Sequence, residues 1–261
     1  MKNNTILNSI KNYDLWLTLA VTKIRVRFIR TALGPIWEIL GTSIFLVFIA
    51  FVWSKLWGDT FFEFFCYLYS GFIIWKAISS IIGDATYLFS DTYSSCFENV
   101  NINPFVFCMS HTAKNFLVLL MNFPILISIL IISDSLYIVS FLWILFYFIL
   151  FFISGVAASF IIATICLKFR DLQFSIIVLL QLMFFVTPVI WKIDQLSDKS
   201  QRFIIDPNLL YHYIELFRSI ALYGEINFKS LLVVSITTIV LVIMSLIIYK
   251  KVNKKLIFWI S

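Results

Sequence analysis

Charge is scarce in this chain of 261 residues: Asp, Glu, Lys and Arg together make up 13%, about half of what a soluble domain carries. Glycine and proline are few, seven and five, so a disordered or linker-rich chain is excluded. No glycine precedes a lysine, so the phosphate-cradling loop of Walker type is missing and the chain does not encode its own nucleotide motor. Cys66, Cys96, Cys108 and Cys166 share no C-x-x-C spacing, and three of them sit in or beside apolar runs, where a thiol packs as a small hydrophobe. This is not the pattern of a disulfide scaffold. Two histidines, His111 and His212, offer no clustered metal-ligand set.

What the chain has instead is apolar surface. Hydrophobic residues reach 61%, with 29 Phe, 11 Tyr and 8 Trp. That composition defines an all-α polytopic membrane protein. A span needs about 20 apolar residues, and six stretches qualify: 36–57, 64–82, 115–133, 138–167, 172–191 and 230–249. The fourth lies in a charge-free run, Leu136–Leu167, that would measure about 48 Å as a helix. One long or tilted helix fits better than two, with a bend expected at Ser154-Gly155. Ser133-Asp134-Ser135 then makes a tight hairpin turn between the third and fourth spans.

Lys and Arg placement sets the orientation. With both termini inside, thirteen of the 20 cations fall on the cytoplasmic side and six outside. The net charge of +6 is a topology signal; no soluble basic domain exists to hold a nucleic acid. No cleavable leader is expected, because Leu15–Val21 is too short for one and Lys23, Arg25 and Arg27 follow at once.

Three segments are not spans. Residues 12–30 form an amphipathic interface helix, with Leu15, Leu19, Val26 and Ile29 on one face and Lys23, Arg27 and Arg30 on a basic stripe suited to an anionic lipid head group. Gly34 and Pro35 make the corner into the first span. Residues 83–112 form the largest inner connection, in which Asn103 caps a helix that Pro104 begins. A short inner loop, Lys168, Phe169, Arg170 and Asp171, joins the fourth and fifth spans. Residues 192–229 form a long outer segment, approached through Thr187-Pro188. There Asp206 is expected to cap a helix Pro207–Leu222 that is too short and charged to span, one arm of a re-entrant pair, with Glu215 and Arg218 paired on it. Lys76, inside the second span, is expected to snorkel to the inner surface.

The order of these pieces carries a resemblance. A basic interface helix is followed by LGPIW at Leu33–Trp37, GFIIW at Gly71–Trp75, KFRDLQF at Lys168–Phe174 and TPVIW at Thr187–Trp191. Asp206-Pro207, ELFR at Glu215–Arg218 and a lysine-rich tail complete the series. The chain resembles the membrane subunit of type-2 ABC exporters for lipid-linked polysaccharides, most of all the O-antigen permeases, with teichoic-acid and capsule permeases as relatives. The resemblance implies a homodimer in a bacterial inner membrane, with a channel lined by the first and fifth spans. It implies two copies of a separate ATPase subunit that carry the ATP and magnesium; no cofactor is expected on this chain. It also implies a coupling helix within 83–112 and two outer gate helices within 192–222. Two departures from the family pattern are Asp206 where Asn usually precedes the outer proline, and Phe105-Val106 where a basic-acidic pair usually follows the inner one.

These readings name candidates. Glu98, Asn103, Pro104, Lys168, Arg170 and Asp171 are the ATPase-coupling set, and Lys23, Arg27, Arg30, Gly34 and Pro35 the head-group and interface set. Trp53, Trp57, Tyr67, Tyr69, Phe184, Phe185 and Trp191 are the aromatic lining on which sugar faces could slide. Pro188, Asp206, Pro207, Glu215 and Arg218 belong to the outer gate. Two rival functions are an integral-membrane enzyme acting on polyprenyl-linked sugars, which would need clustered acids or a histidine at a membrane face, and a self-sufficient channel, which would need more than one copy.

Overall fold

A computed structural model describes residue 9, residues 11–90, 103–132, 138–193, 197, 199 and 201–252. Glu98, Cys96, the 133–135 turn and the tail beyond residue 252, with Lys254 and Lys255, lie outside the described residues. Nine α-helices and no strands are found among those described. In chain order they are α1 (Tyr13–Phe28), α2 (Ile36–Trp57), α3 (Phe61–Ala85), α4 (Pro104–Met121), α5 (Phe123–Ile132), α6 (Ile138–Lys168), α7 (Leu172–Val186), α8 (Leu209–Arg218) and α9 (Phe228–Val252).

The ends of the helices follow from local chemistry. The Asn103 side chain accepts the Phe105 amide at the start of α4, with Pro104 at the first helical position. Thr60 caps α3 by accepting the Glu63 amide, and its own hydroxyl donates back to the Glu63 carboxylate at 2.8 Å. Between α1 and α2, Arg30 and Gly34 both adopt left-handed φ, 68° and 54°. These two residues turn the surface helix sharply into α2.

Five helical stretches are long and apolar enough to cross a membrane: Ile36–Trp57, Phe61–Ala85, Pro104–Ile132, Phe141–Lys168 and Phe228–Val252. The expected fifth span is cut short. Helix α7 has 15 residues, about 22 Å of rise against a hydrocarbon core of about 30 Å. It ends at Thr187, whose extended backbone begins the turn into Pro188.

Helix α3 is the hub. Fourteen of its 25 residues are buried, and α2, α4, α5, α6, α7 and α8 all pack on it. Lipid is as apolar as a leucine side chain, so helices in a bilayer associate through close packing and polar contacts, not water exclusion. The buried residues show this. On α2 they are Glu38, Thr42, Leu46, Ala50 and Ser54, a stripe at every fourth position. On α9 they are Ser230, Val234, Thr238 and Ser245. Thr42, Thr238 and Ser245 donate back to their own helices, so their hydroxyls carry no unmet donor. The large side chains of α2, among them Phe45, Phe48, Phe51 and Leu56, point outward.

Helix α6 is one unbroken helix of 31 residues, as expected from its charge-free run. Gly155 within it is a notch: a Cβ placed there would lie 2.9 Å from Cγ2 of Thr112 and 3.4 Å from Cδ1 of Ile81. The missing side chain lets α6 approach α3 and α4 closely. We therefore expect Gly155→Ala and Gly155→Val to lower the melting temperature of the detergent-purified protein in that order, within about 1–3 kcal/mol. Equal stability of all three proteins would show that the helices do not meet at this point.

Candidate functional site

The polar groups buried among these apolar helices gather into two clusters at opposite ends of the bundle, named inner and outer after the orientation expected from the cation bias, with an aromatic face between them. The inner cluster centres on Glu38. Its carboxylate is 6% exposed and accepts from Lys76 Nζ at 2.5 Å and from Arg27 Nη2 at 3.0 Å. Lys76 also donates to the Thr42 hydroxyl at 2.6 Å. One acid thereby joins α1, α2 and α3. Lys76 does not reach out to water alone, as snorkelling predicts, because an opposite charge is available one helix away. Residues 38 and 76 are far apart in sequence, and the signal of their pairing is only that the first apolar run carries an acid and the second a lone lysine.

The basic stripe of α1 is split: Lys23 is partly buried, Arg27 is exposed but reaches Glu38, and Arg30 is exposed. Trp16 stacks near Phe152 at 6.0 Å, and Ala20 and Ile24 are buried. Lys23 lies close to Lys114, Asp84 and Cys108; burial first, and the Lys114 charge next, push its pKa down to about 8. Leu15, Val26 and Ile29 of the expected apolar face are exposed, on the side away from the neighbouring helices. Arg30, Gly34 and Pro35 form the corner described above.

At the inner ends of the helices, Lys114 pairs with Asp84 at 2.9 Å. Gln173, at the start of α7, donates to the Thr86 carbonyl at 3.1 Å and is buried. This contact, unforeseen in the sequence, ties the α6–α7 loop to the turn that follows α3. Lys168, Arg170 and Asp171 are exposed on that loop. Asn103 and Pro104 are not surface residues. Both are buried, Asn103 donates to the Tyr249 hydroxyl at 3.0 Å, and Phe105 stacks on Phe160 at 4.5 Å. They anchor the start of α4 against α6 and α9, so a direct docking role for these two is corrected to a structural one.

The outer cluster centres on Arg218, 1% exposed. Its guanidinium carbon sits 3.6 Å from the centroid of the Tyr67 ring, a cation–π contact. Nη1 is 3.3 Å from the Pro188 carbonyl and 3.8 Å from the Glu215 carboxylate. Nε and Nη2 find no acceptor among the described residues. Gly71 makes room for this side chain, since a Cβ at that position would overlap Nη2. Around it, Tyr67 donates to the Trp191 carbonyl at 3.1 Å, and Lys192 pairs with Asp59 at 2.6 Å.

The outer helix starts later than expected. Asn208, not Asp206, is its N-cap, accepting the Tyr211 amide at 3.2 Å and donating to the Thr187 hydroxyl at 2.9 Å. Asp206 pairs with Lys229 at 2.6 Å, and Pro207 stands exposed in the turn before the cap. After Arg218 the helix widens into a π turn, Ser219–Tyr223, that ends at left-handed Gly224. His212 donates from Nε2 to the Asp206 carbonyl at 3.0 Å, which leaves Nδ1 to accept from Ser230 at 3.1 Å. Both ring nitrogens are thus engaged, Nε2 within the outer segment and Nδ1 in tying that segment to α9.

The aromatic candidates divide. Tyr69 is fully buried and donates to the Asn122 carbonyl at 3.2 Å, so it belongs to the core and not to a lining. Trp53 and Trp57 stack on each other at 5.2 Å and are partly exposed. Phe184 packs on Phe72 and Trp75. Phe185 is 67% exposed, and the Trp191 indole donates to its carbonyl at 3.0 Å. With Phe174, Val178 and Leu182, Phe185 extends an open apolar face along α7, and α2 presents a second one.

An all-helical membrane chain with unfilled faces on α2 and α7, a surface helix locked to the first span, and an outer segment folded back onto α3 has the build of a transporter subunit. Residues 15–222 match the family model for the ABC-2 type transporter, and the chain belongs to that membrane family. It is similar to two proteins of Klebsiella pneumoniae, each described as the O-antigen export system permease protein RfbA. The identities are 25% over 245 residues and 23% over 251 residues, and both matches cover 92% of this chain and 93% of the relative.

The geometry gives two expectations. Glu38→Ala leaves the partly buried Lys76 without its acid and should destabilise the protein by about 1–3 kcal/mol, while Glu38→Gln with Lys76→Met recovers a large part; additive melting shifts would show that the pair does not interact. Gly71→Ala should lower stability by displacing Arg218, and adding Arg218→Ala should cancel most of that loss. A Gly71→Ala protein that melts unchanged contradicts the notch.

Proposed function

We propose that this chain is the membrane-spanning subunit of an ATP-driven exporter that moves undecaprenyl-linked O-antigen-type polysaccharide across the bacterial inner membrane. The observation that carries this reading is the similarity to the two O-antigen export permeases along nearly the whole of both chains. The ATP and magnesium belong to a separate ABC ATPase, present in two copies. This chain is then no enzyme by itself, consistent with the lack of a Walker loop in its sequence.

In this reading two copies meet across the open faces of α2 and α7, and the polymer passes between them. Phe184, Phe185, Trp191, Trp53, Trp57 and Tyr67 offer flat apolar rings on which the C–H faces of sugars slide without one sugar being held tightly. Helix α7 and the Thr187–Trp191 turn together make the sixth crossing, which brings both termini to the cytoplasm in agreement with the cation bias. The outer segment is a re-entrant gate. Supporting this, Arg218 meets α3 at Gly71, ten residues from the start of that helix, about 15 Å along its axis.

Force enters from below. The exposed Lys168, Arg170 and Asp171 loop and the segment containing Glu98 are the surfaces offered to the ATPase. The Gln173–Thr86 bond ties the start of α7 to the turn after α3, so a push on the Lys168–Asp171 loop is passed to α3 as well as α7. The corner at Arg30, Gly34 and Pro35 carries the lipid head group into the seam. A teichoic-acid or capsular polymer would use the same machinery.

In a strain lacking its own permease, the chain together with its ATPase should restore surface polysaccharide, and Phe185→Ala with Trp191→Ala should reduce it at unchanged protein level. Restoration with a hydrolysis-dead ATPase, or full output from the aromatic double variant, contradicts the mechanism.

A further inference from the structure

A groove of about 380 Å³ runs between α1 and α4, floored by Val21, Ile24, Leu117, Leu120 and Met121, with Arg25 on its edge. Its depth relative to the polar surface can be read from α4 itself. Lys114, paired with Asp84 of α3, lies three residues before Leu117 on that helix. Beyond it the helix carries Leu117, Leu120 and Met121 and then the apolar α5. The groove therefore leads from a charged level into a wholly apolar one.

Arg25 differs from the other cations of α1. Arg27 is held by Glu38, and Lys23 lies beside Asp84 and Lys114. Arg25 is exposed, and no acid lies within ion-pair reach of it among the described residues. A positive charge at the mouth of an apolar groove, at the level where the membrane turns polar, fits an amphiphile with an anionic head and a hydrocarbon tail.

We infer that this groove binds one anionic membrane phospholipid per chain. The phosphate rests against the Arg25 guanidinium, and one acyl chain lies along Val21, Leu117, Leu120 and Met121. The lipid fills the space between the surface helix and α4 and is not the transported substrate. The face is separate from the α2 and α7 surfaces, so the inference does not depend on how the polymer passes.

The experiment is native mass spectrometry of the full-length protein, extracted from vesicles holding equal phosphatidylglycerol and phosphatidylcholine with a trace of undecaprenyl phosphate. The expected result is one retained phosphatidylglycerol per chain. Arg25→Gln should cut its preference over phosphatidylcholine about fivefold, Val21→Trp should abolish retention by filling the groove, and Lys55→Gln, which removes a cation at the far end of α2, should leave retention unchanged. Equal retention of the two phospholipids, or an Arg25→Gln protein that keeps its preference, overturns the site. Undecaprenyl phosphate displacing the phospholipid overturns the assignment of its occupant.

Discussion

A carboxylate inside an apolar helix must be compensated, and Glu38 is compensated twice. Removing a charge from water costs several kcal/mol unless partners and hydrogen bonds are supplied. Lys76 and Arg27 supply them from two other helices. The consequence is positional. Helix α1 can lie only where Arg27 reaches Glu38, and α2 can meet α3 only in the register that brings residues 38 and 76 together. The left-handed turns at Arg30 and Gly34 then close a corner whose two arms are already fixed. The first two membrane helices and the surface helix thus form one unit.

The outer end uses the same device in a looser form. Arg218 is buried against a tyrosine face and one backbone carbonyl, with its acid at 3.8 Å and two of its nitrogens unmatched. A fully paired guanidinium would be hard to move; one held mainly by a ring and a glycine notch is not. That contrast between a tight inner anchor and an under-satisfied outer one is what the proposed gate would use.

Much of the fold was legible because hydropathy reports directly on a bilayer. The long apolar runs, the Asn103-Pro104 helix start and the Gly34-Pro35 corner follow from composition and local rules, and each appears in the structure. What escaped was pairwise. Lys76 reads as a snorkelling lysine until Glu38 is placed beside it, and nothing local in the sequence shows that Gly155 faces Thr112. Asp206-Pro207 looks like a cap and a first turn, yet Asn208 caps better here because Thr187 receives its amide. Tyr69 looks like its neighbour Tyr67, but two residues apart on a helix they face different ways, one into the core. The full length of the fifth span was overestimated because Thr187–Trp191 is as apolar as a helix while its proline turns the chain aside.

The open faces of α2 and α7 connect this architecture to work. They are apolar enough for lipid and aromatic enough for sugar, and one copy of the chain leaves them uncovered. The most direct measurement is reconstitution of the purified chain with its ATPase in vesicles loaded with lipid-linked glycan, scoring glycan that reaches the opposite leaflet. The account predicts transfer only when both proteins and ATP are present. Transfer by the chain alone, or ATP hydrolysis by it, would contradict the central claim.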